Sequence, residues 1–242
     1  MPLRRIHSDQ PLRPGAEVTL RADAANHVLR VLRLRRGDTL VLFDGSGCDY
    51  AGEITRLGRD DVTVVVGAGH AVANESPLAL TLVQGVCRGA RMDTVVQKAT
   101  ELGVARIRPV LTARSVVKLD EARGDRRQAH WQRVAVAAAE QSGRSRVPVV
   151  EEPVTLEAAL PALAAYPARL LLDPQGESLR TLTLGSEPLA LLVGPEGGLA
   201  PEEVRLARDC GFRPVKLGPR ILRTETAPLA ALAVLQFLAG DF

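Results

Sequence analysis

Two short segments of this 242-residue chain concentrate the side chains able to do chemistry. The first is Leu191-Leu192-Val193-Gly194-Pro195-Glu196-Gly197-Gly198-Leu199, an apolar strand running into a glycine loop, with Pro201 opening a helix behind it. A buried strand that ends in glycines lets a ligand approach the backbone at the carboxyl edge of a sheet. The spacing G-x-x-G-G matches neither the dinucleotide fingerprint nor the P-loop. The helix begins Pro201-Glu202-Glu203, and those carboxylates already complement its dipole and would repel a phosphate. A ligand carrying an adenine ring and a positive charge suits the loop better than a pyrophosphate. Taken alone, the loop is equally compatible with a structural tight turn. The second segment, Leu217-Gly218-Pro219-Arg220-Ile221-Leu222-Arg223-Thr224-Glu225-Thr226-Ala227, again joins a strand to a helix through Gly and Pro. Helix capping by Thr224 or Thr226, with Glu225 beside it, explains the threonines. Capping does not explain two arginines at the positive end of a helix dipole.

The elements around these segments divide the chain. Over residues 1–72 the pattern is mainly strands: Ala16–Leu20, Thr39–Phe43, Asp49–Leu57 and Val62–Val66, with turn signals at Asp44–Gly47 and Gly58–Asp61. One helix interrupts them, Ala24–Leu32 with Asp23 as N-cap, its apolar face formed by Val28, Val31 and Leu32. A small β-barrel domain is expected there, followed by a linker at 73–77. From residue 78 to 242 strands alternate with helices. Strands are expected at Leu78–Val83, Ile107–Leu111, Arg169–Leu172, Leu189–Val193 and Pro214–Leu217. Helices are expected at Arg91–Leu102, Arg126–Gln141, Thr155–Ala165, Pro201–Cys210 and Thr226–Leu238. Such alternation predicts an α/β fold with a mostly parallel sheet and helices on both faces.

Hydrophobic residues make up 46% and charged residues 24%, the mixture of a globular chain, and no apolar run is long enough for a membrane span. The amino-terminal residues lack the apolar stretch of a secretory signal. Cys48, Cys87 and Cys210 form no C-x-x-C pair, and His7, His27, His70 and His130 do not cluster with carboxylates or cysteines, so no metal is expected. A reduced, cytoplasmic protein is the expectation. The net charge of +3 conceals a segregation. Residues 76–150 carry thirteen basic and six acidic groups, whereas 151–242 carry eight and twelve. A basic middle segment points to a polyanionic partner. Coding bias accounts for most of the excess of 28 arginines over three lysines, but not for the clustering.

With both segments in view, the chain resembles the SPOUT class of RNA methyltransferases. Within that class it resembles the bacterial 16S ribosomal RNA (uracil-N3)-methyltransferases, the family of ribosomal small subunit methyltransferase E. The resemblance is carried by Asp23-Ala24-Ala25-Asn26-His27 with Arg30-Val31-Leu32-Arg33, by Leu42-Phe43-Asp44-Gly45-Ser46, and by Gln97-Lys98-Ala99-Thr100-Glu101-Leu102-Gly103-Val104. Glu140-Gln141-Ser142-Gly143-Arg144-Ser145-Arg146-Val147-Pro148 and the two segments above complete it. The Gly194–Gly198 loop is widespread in the class; the Leu222–Ala227 run is far more specific. Ala200 departs from the usual polar cap, and Leu156–Leu184 matches poorly.

The resemblance implies a PUA-like RNA-binding β-barrel followed by a SPOUT domain whose carboxyl-terminal part threads a trefoil knot, a rare topology. It implies S-adenosylmethionine as cofactor and a homodimer paired through the knotted region, acting on 16S rRNA or the small ribosomal subunit, with no membrane and no metal. Cofactor contacts would come from Leu172, Asp173, Val193, Gly194, Pro195, Glu196, Gly197, Gly198, Leu217, Gly218, Ile221, Leu222, Arg223 and Thr226. Methylating uracil N3 requires loss of its proton. Glu225 is the candidate proton acceptor and Arg223 the stabiliser of the resulting anion; a purely orienting role for Glu225 stands equally open. Arg30, Arg33, Arg35, Arg36, Arg88, Lys98, Arg144 and Arg146 are the candidate RNA contacts. For Lys98 a surface ion pair with Glu101 is the stronger expectation. Two other functions compete: an inactive RNA-binding accessory protein of the same fold, which the intact Gly194 and Arg223 segments argue against, and a nicotinamide-dependent oxidoreductase, disfavoured by the missing fingerprint.

Overall fold

The computed structural model of the chain describes residues 4–115 and 121–242. It resolves into two compact units, Met1–Glu75 with Val136–Val147, and Ser76–Ala135 with Pro148–Phe242. The first unit thus takes in a stretch that the sequence division leaves in the second domain.

In the first unit, β1 (Arg5–His7), β2 (Glu17–Arg21), β3 (Thr39–Phe43), β4 (Cys48–Leu57) and β5 (Asp61–Ala71) form one sheet in the order β1-β3-β4-β5-β2. Strands β2 to β5 pair antiparallel and β1 runs parallel to β3, with Ile6 opposite Leu42. No ladder joins β1 to β2 among the described residues, so the sheet is a half-barrel rather than a closed one. Its core collects Ile6, Val18, Leu20, Val28, Leu40, Leu42, Ile54, Val62 and Val64. Strand β1 escaped the sequence analysis because three residues show no alternation.

The helix of this unit corrects the expectation. Helix α1 covers only Ala22–Asn26, and Arg21, not Asp23, precedes it, without a side-chain cap bond. It continues as a π-helical turn over His27–Val31, where the Leu32 amide bonds the His27 carbonyl at 2.9 Å. The wider turn shifts the side-chain phase. Val28 stays fully buried while Val31 is 68% exposed, so Val31 leaves the apolar face assigned to it.

The second unit holds β6 (Leu80–Gly85), α2 (Ala90–Glu101), β7 (Arg106–Leu111), α3 (Glu121–Ser142, its last turns in the first unit), β8 (Val149–Val150) and β9 (Val154–Thr155). It continues with α4 (Leu156–Leu163), β10 (Ala168–Ser178), β11 (Leu189–Val193), α5 (Pro201–Asp209), β12 (Arg213–Lys216) and α6 (Ala227–Ala239). All ladders are parallel, in the order β12-β10-β11-β6-β7-β8, with β9 also on β7. Every residue of β11 is buried, as a strand covered on both faces requires. Val83, Val110, Leu171, Ala190 and Leu192 turn toward α4 and α5, meeting Leu156, Leu160, Leu163 and Ala207. Each fully buried leucine adds about 1.5–3 kcal/mol. The alternate residues Leu80, Leu82 and Leu191 are equally buried on the other side, and α2 and α6 pack together. Thr155 caps α4 by accepting from the Ala158 amide at 3.3 Å. Gly103 and Gly211, with φ of 81° and 83°, end α2 and α5 in the left-handed region that glycine enters without penalty.

Strand β10 runs past the expected Arg169–Leu172, but its register with β12 slips between Leu172 and Glu177. Asp173 accepts the Gln175 amide at 2.8 Å, folding the intervening residues into a turn at the strand exit. Among the described residues no helix is long and apolar enough to cross a membrane, and no group of three or more His, Cys, Asp or Glu side chains could hold a metal.

Candidate active site

Strands β12, β10 and β11 are neighbours and parallel, so their carboxyl ends open at one edge. There Leu171–Pro174 of β10, Gly194–Glu196 with Gly198 and Leu199 beyond β11, and Leu217, Gly218, Arg220–Glu225 and Ala227 beyond β12 line a cavity of about 560 Å³. That volume is within the range of small-molecule sites. Arg91 from α2 and Arg114 from the segment after β7 complete the wall.

The loops approach each other closely. A Cβ on Gly194 would lie 2.9 Å from the Gly198 carbonyl carbon and the Leu199 nitrogen. A Cβ on Gly85, at the end of β6, would lie 2.5 Å from Pro195. Neither position has room for a side chain. Beneath them Thr224 donates to the Gly194 carbonyl at 3.0 Å, tying the β12 exit to the β11 exit. Gln84 lies below, its Nε2 3.0 Å from the Gly85 carbonyl and 3.4 Å from the Thr224 hydroxyl, while its buried Oε1 finds no partner among the described residues. Cys87 donates to the Gly85 carbonyl at 3.3 Å. Burial pushes the Cys87 thiol up to about 11, with the charges of Glu196 and Glu225 adding to it, so it is not a thiolate nucleophile near neutral pH.

One wall of the cavity is ionic. Glu196 accepts the Arg88 amide at 2.9 Å and Arg91 Nη1 at 2.8 Å. Burial draws the Glu196 carboxyl upward, but the amides of Arg88 and of Glu196 itself, together with Arg91, outweigh it and hold the group below its ordinary value. Arg91 Nε stands 3.8 Å from Glu225 Oε2, and Arg223 Nη1 stands 3.9 Å from Glu225 Oε1.

Of the residues expected to contact a cofactor, Leu172, Asp173, Val193, Gly194, Pro195, Glu196, Gly198, Leu217, Gly218, Ile221, Leu222 and Arg223 line this cavity, as does Glu225. Gly197 and Thr226 do not. Gly197 turns its carbonyl to Arg114 Nη1 at 2.9 Å, and Thr226 sits at the start of α6 without a side-chain cap bond. Neither threonine caps α6, because the Thr224 hydroxyl is spent on Gly194. At α5, where Ala200 offers no cap, Glu203 takes the task alone: its carboxylate accepts the Ala200 amide at 2.7 Å and the Ala113 amide at 2.8 Å.

The candidate RNA contacts separate. Arg30, Arg33, Arg35 and Arg36 are exposed in the first unit, Arg30 within 4.0 Å of Asp60. Arg146 is exposed, its amide on Glu75 at 3.1 Å. Arg144 corrects the expectation: it is buried, and its Nη2 donates to Glu75 at 2.6 Å, so its fork is committed inside the unit. The Arg144 carbonyl accepts Arg5 Nη2 at 3.0 Å, beside the bonded pair of Arg5 and Asp49. In the second unit Arg88 is exposed, and Lys98 bonds Glu101 at 2.7 Å, the ion pair its spacing favours.

Arg91 is not among the site residues expected from the sequence. It opens α2 as Arg223 precedes α6, a cation at the positive end of a helix dipole, and that repeated anomaly was the available signal. Gln84 offered none, being one polar residue in a buried strand.

A family model described as an RNA methyltransferase domain matches residues 74–236, and one described as an RNA methyltransferase PUA domain matches residues 20–67. The chain is 32% identical to ribosomal RNA small subunit methyltransferase E of Bacillus subtilis, over 96% of each chain. A methyltransferase of Legionella pneumophila, solved with its cofactor S-adenosylmethionine bound, is 38% identical and superposes with a TM-score of 0.95 over 99% of both chains. Ribosomal RNA small subunit methyltransferase E of Neisseria gonorrhoeae, bound to S-adenosylmethionine, is 38% identical with a TM-score of 0.90, again over 99% of both.

Proposed function

The chain belongs to the RNA methyltransferase family, and from that premise we propose that it is an S-adenosylmethionine-dependent enzyme methylating N3 of a specific uridine in 16S ribosomal RNA of the small subunit. The observation that carries this reading is the convergence of three strand exits on one cavity with Arg223 and Glu225 on its wall.

The residues fit the cofactor. Leu172, Val193, Leu217 and Leu222 offer an apolar bed for an adenine ring, and Gly194 brings bare backbone to the cavity. The carboxylates of Glu196 and Glu225 suit a cationic ligand. S-Adenosylmethionine, when bound, supplies a methyl group on a cationic sulfur. The neutral uracil imide is a poor nucleophile. Glu225 takes the N3 proton, and Arg223 holds the negative charge that spreads onto a flanking carbonyl oxygen. The remaining contribution is positioning, to which the Thr224–Gly194 bond lends rigidity.

In the same reading the first unit is an RNA-docking module whose exposed Arg30, Arg33, Arg35, Arg36 and Arg146 meet phosphates, with Arg88 doing so beside the cavity. The carboxyl-terminal segments thread a knot, two subunits pair through it, and the enzyme works in the cytoplasm. The division into residues 1–72, 73–77 and 78–242 accompanies this reading. Mass mapping of 16S rRNA from cells with and without the gene tests it. One uridine should lose an N3 methyl group when the gene is absent, and an unchanged map refutes the assignment.

A further inference from the structure

The ionic wall has a pattern that the two-residue mechanism leaves unused. The carboxylate of Glu225 stands between two guanidiniums, with Arg91 3.8 Å from one oxygen and Arg223 3.9 Å from the other. All three side chains line the same cavity. Both gaps are longer than a hydrogen bond, so neither arginine has spent its donors on Glu225. Arg91 is anchored from behind by Glu196 at 2.8 Å, which orients its fork. In order along the wall the groups read donor, acceptor, donor.

We propose that Arg91, Glu225 and Arg223 form one recognition edge for the Watson–Crick face of uracil, with Arg91 a second anion-stabilising residue and the determinant of uracil over cytosine. The inference rests on the function proposed above. Uracil presents acceptor, donor, acceptor: O4, N3–H and O2. Each arginine takes one carbonyl oxygen and Glu225 receives the N3–H. When the N3–H bond breaks, the proton passes to a Glu225 oxygen and the electron pair stays on N3, delocalised onto O2 and O4. Each of those oxygens then faces a guanidinium, so both ends of the anion are held where a single arginine would hold one. Cytosine places an amino group against one arginine and has no N3 proton to give, leaving a donor of the wall unpaired, the arrangement by which hydrogen-bonding sites reject analogues. Glu196 is then a positioning residue, acting through Arg91.

The test uses the full chain, with Arg91→Gln and Arg91→Lys, and 16S rRNA transcribed with uridine or with 5-fluorouridine, whose N3–H is more acidic. Single-turnover rates at saturating S-adenosylmethionine should fall about 10²-fold in Arg91→Gln, the cost of removing one oxyanion donor. Arg91→Lys should fall between, because it keeps the charge but loses the fork. The 5-fluorouridine transcript should recover part of the loss. Binding of 5-fluoro-UMP, UMP and CMP without cofactor, followed by NMR, supplies a readout independent of turnover. The wild type should prefer them in that order, and Arg91→Gln should narrow both differences. Arg91 is half-exposed in the first turn of α2, and melting curves of the variants establish that they fold. A wild-type enzyme that leaves uridine N3 unmethylated overturns the underlying function and this edge with it. A wild type that methylates N3, beside an Arg91→Gln variant of unchanged rate or unchanged nucleotide preference, overturns the edge alone.

Discussion

Replacing Thr224 by valine removes one hydroxyl from the floor of the cavity and leaves the side-chain shape nearly intact. In the native chain that hydroxyl donates to the Gly194 carbonyl at 3.0 Å and lies 3.4 Å from Gln84 Nε2. Without it the Gly194 carbonyl keeps, among the described residues, only a long contact with Gln84 Nε2, at 3.5 Å. Leaving that half-buried acceptor short of its partner costs about 1–2 kcal/mol, the lower part of the range for a fully buried one. For a chain of this size 1 kcal/mol corresponds to roughly 2–4 °C in Tm, so a drop of about 2–8 °C is expected. The same bond ties two cavity loops, so part of the cost should reappear in ligand binding. Each 1.4 kcal/mol there is about tenfold in Kd. Differential scanning calorimetry and titration with S-adenosylmethionine measure the two effects. Thr226→Val is the matched control, since that side chain makes no cap bond and lines no part of the cavity. Equal melting points and equal Kd values for the two variants would refute the idea that Thr224 clasps the loops.

Gly194→Ala should abolish S-adenosylmethionine binding in calorimetry, because its Cβ meets backbone at 2.9 Å, whereas Gly197→Ala meets only the flexible Arg114 side chain at 3.1 Å and should bind within a few-fold of wild type. Arg144→Ala should destabilise the fold by about 1–3 kcal/mol in denaturant titrations, less than the cost of breaking a fully buried pair because Glu75 keeps partial access to water. Arg36→Ala should leave stability unchanged and reduce the salt dependence of RNA binding by about one phosphate contact. Burial raises the Glu151 carboxyl, but Arg108 and Arg106 outweigh it and hold the group below its ordinary value. Its stabilisation is therefore full above the ordinary carboxylate range of about 4.3 and lost as pH falls through the depressed folded value. Stability of Glu151→Gln, compared with wild type from pH 7 to pH 3, should show a deficit that shrinks toward acid.

The sequence by itself determined the two kinds of sheet. Alternation in β4 and the continuous apolar run of β11 reflect, respectively, a sheet buried on one face and a sheet buried on both. Glycines at a strand exit and arginines before a helix are local anomalies readable without any partner, and they single out the two loops that line the cavity. Local patterns stop at contacts across long stretches of chain. Residues 171, 194 and 217 meet only because β12, β10 and β11 are parallel neighbours, an order that no window of sequence contains. Tertiary packing likewise gave Thr224 to Gly194 rather than to the end of α6, placed Arg91 beside Glu225, and enclosed Arg144 with Glu75. A side chain's hydrogen-bonding groups go where burial leaves an unsatisfied partner, and which partner is buried beside it is settled only when the strands have found their order.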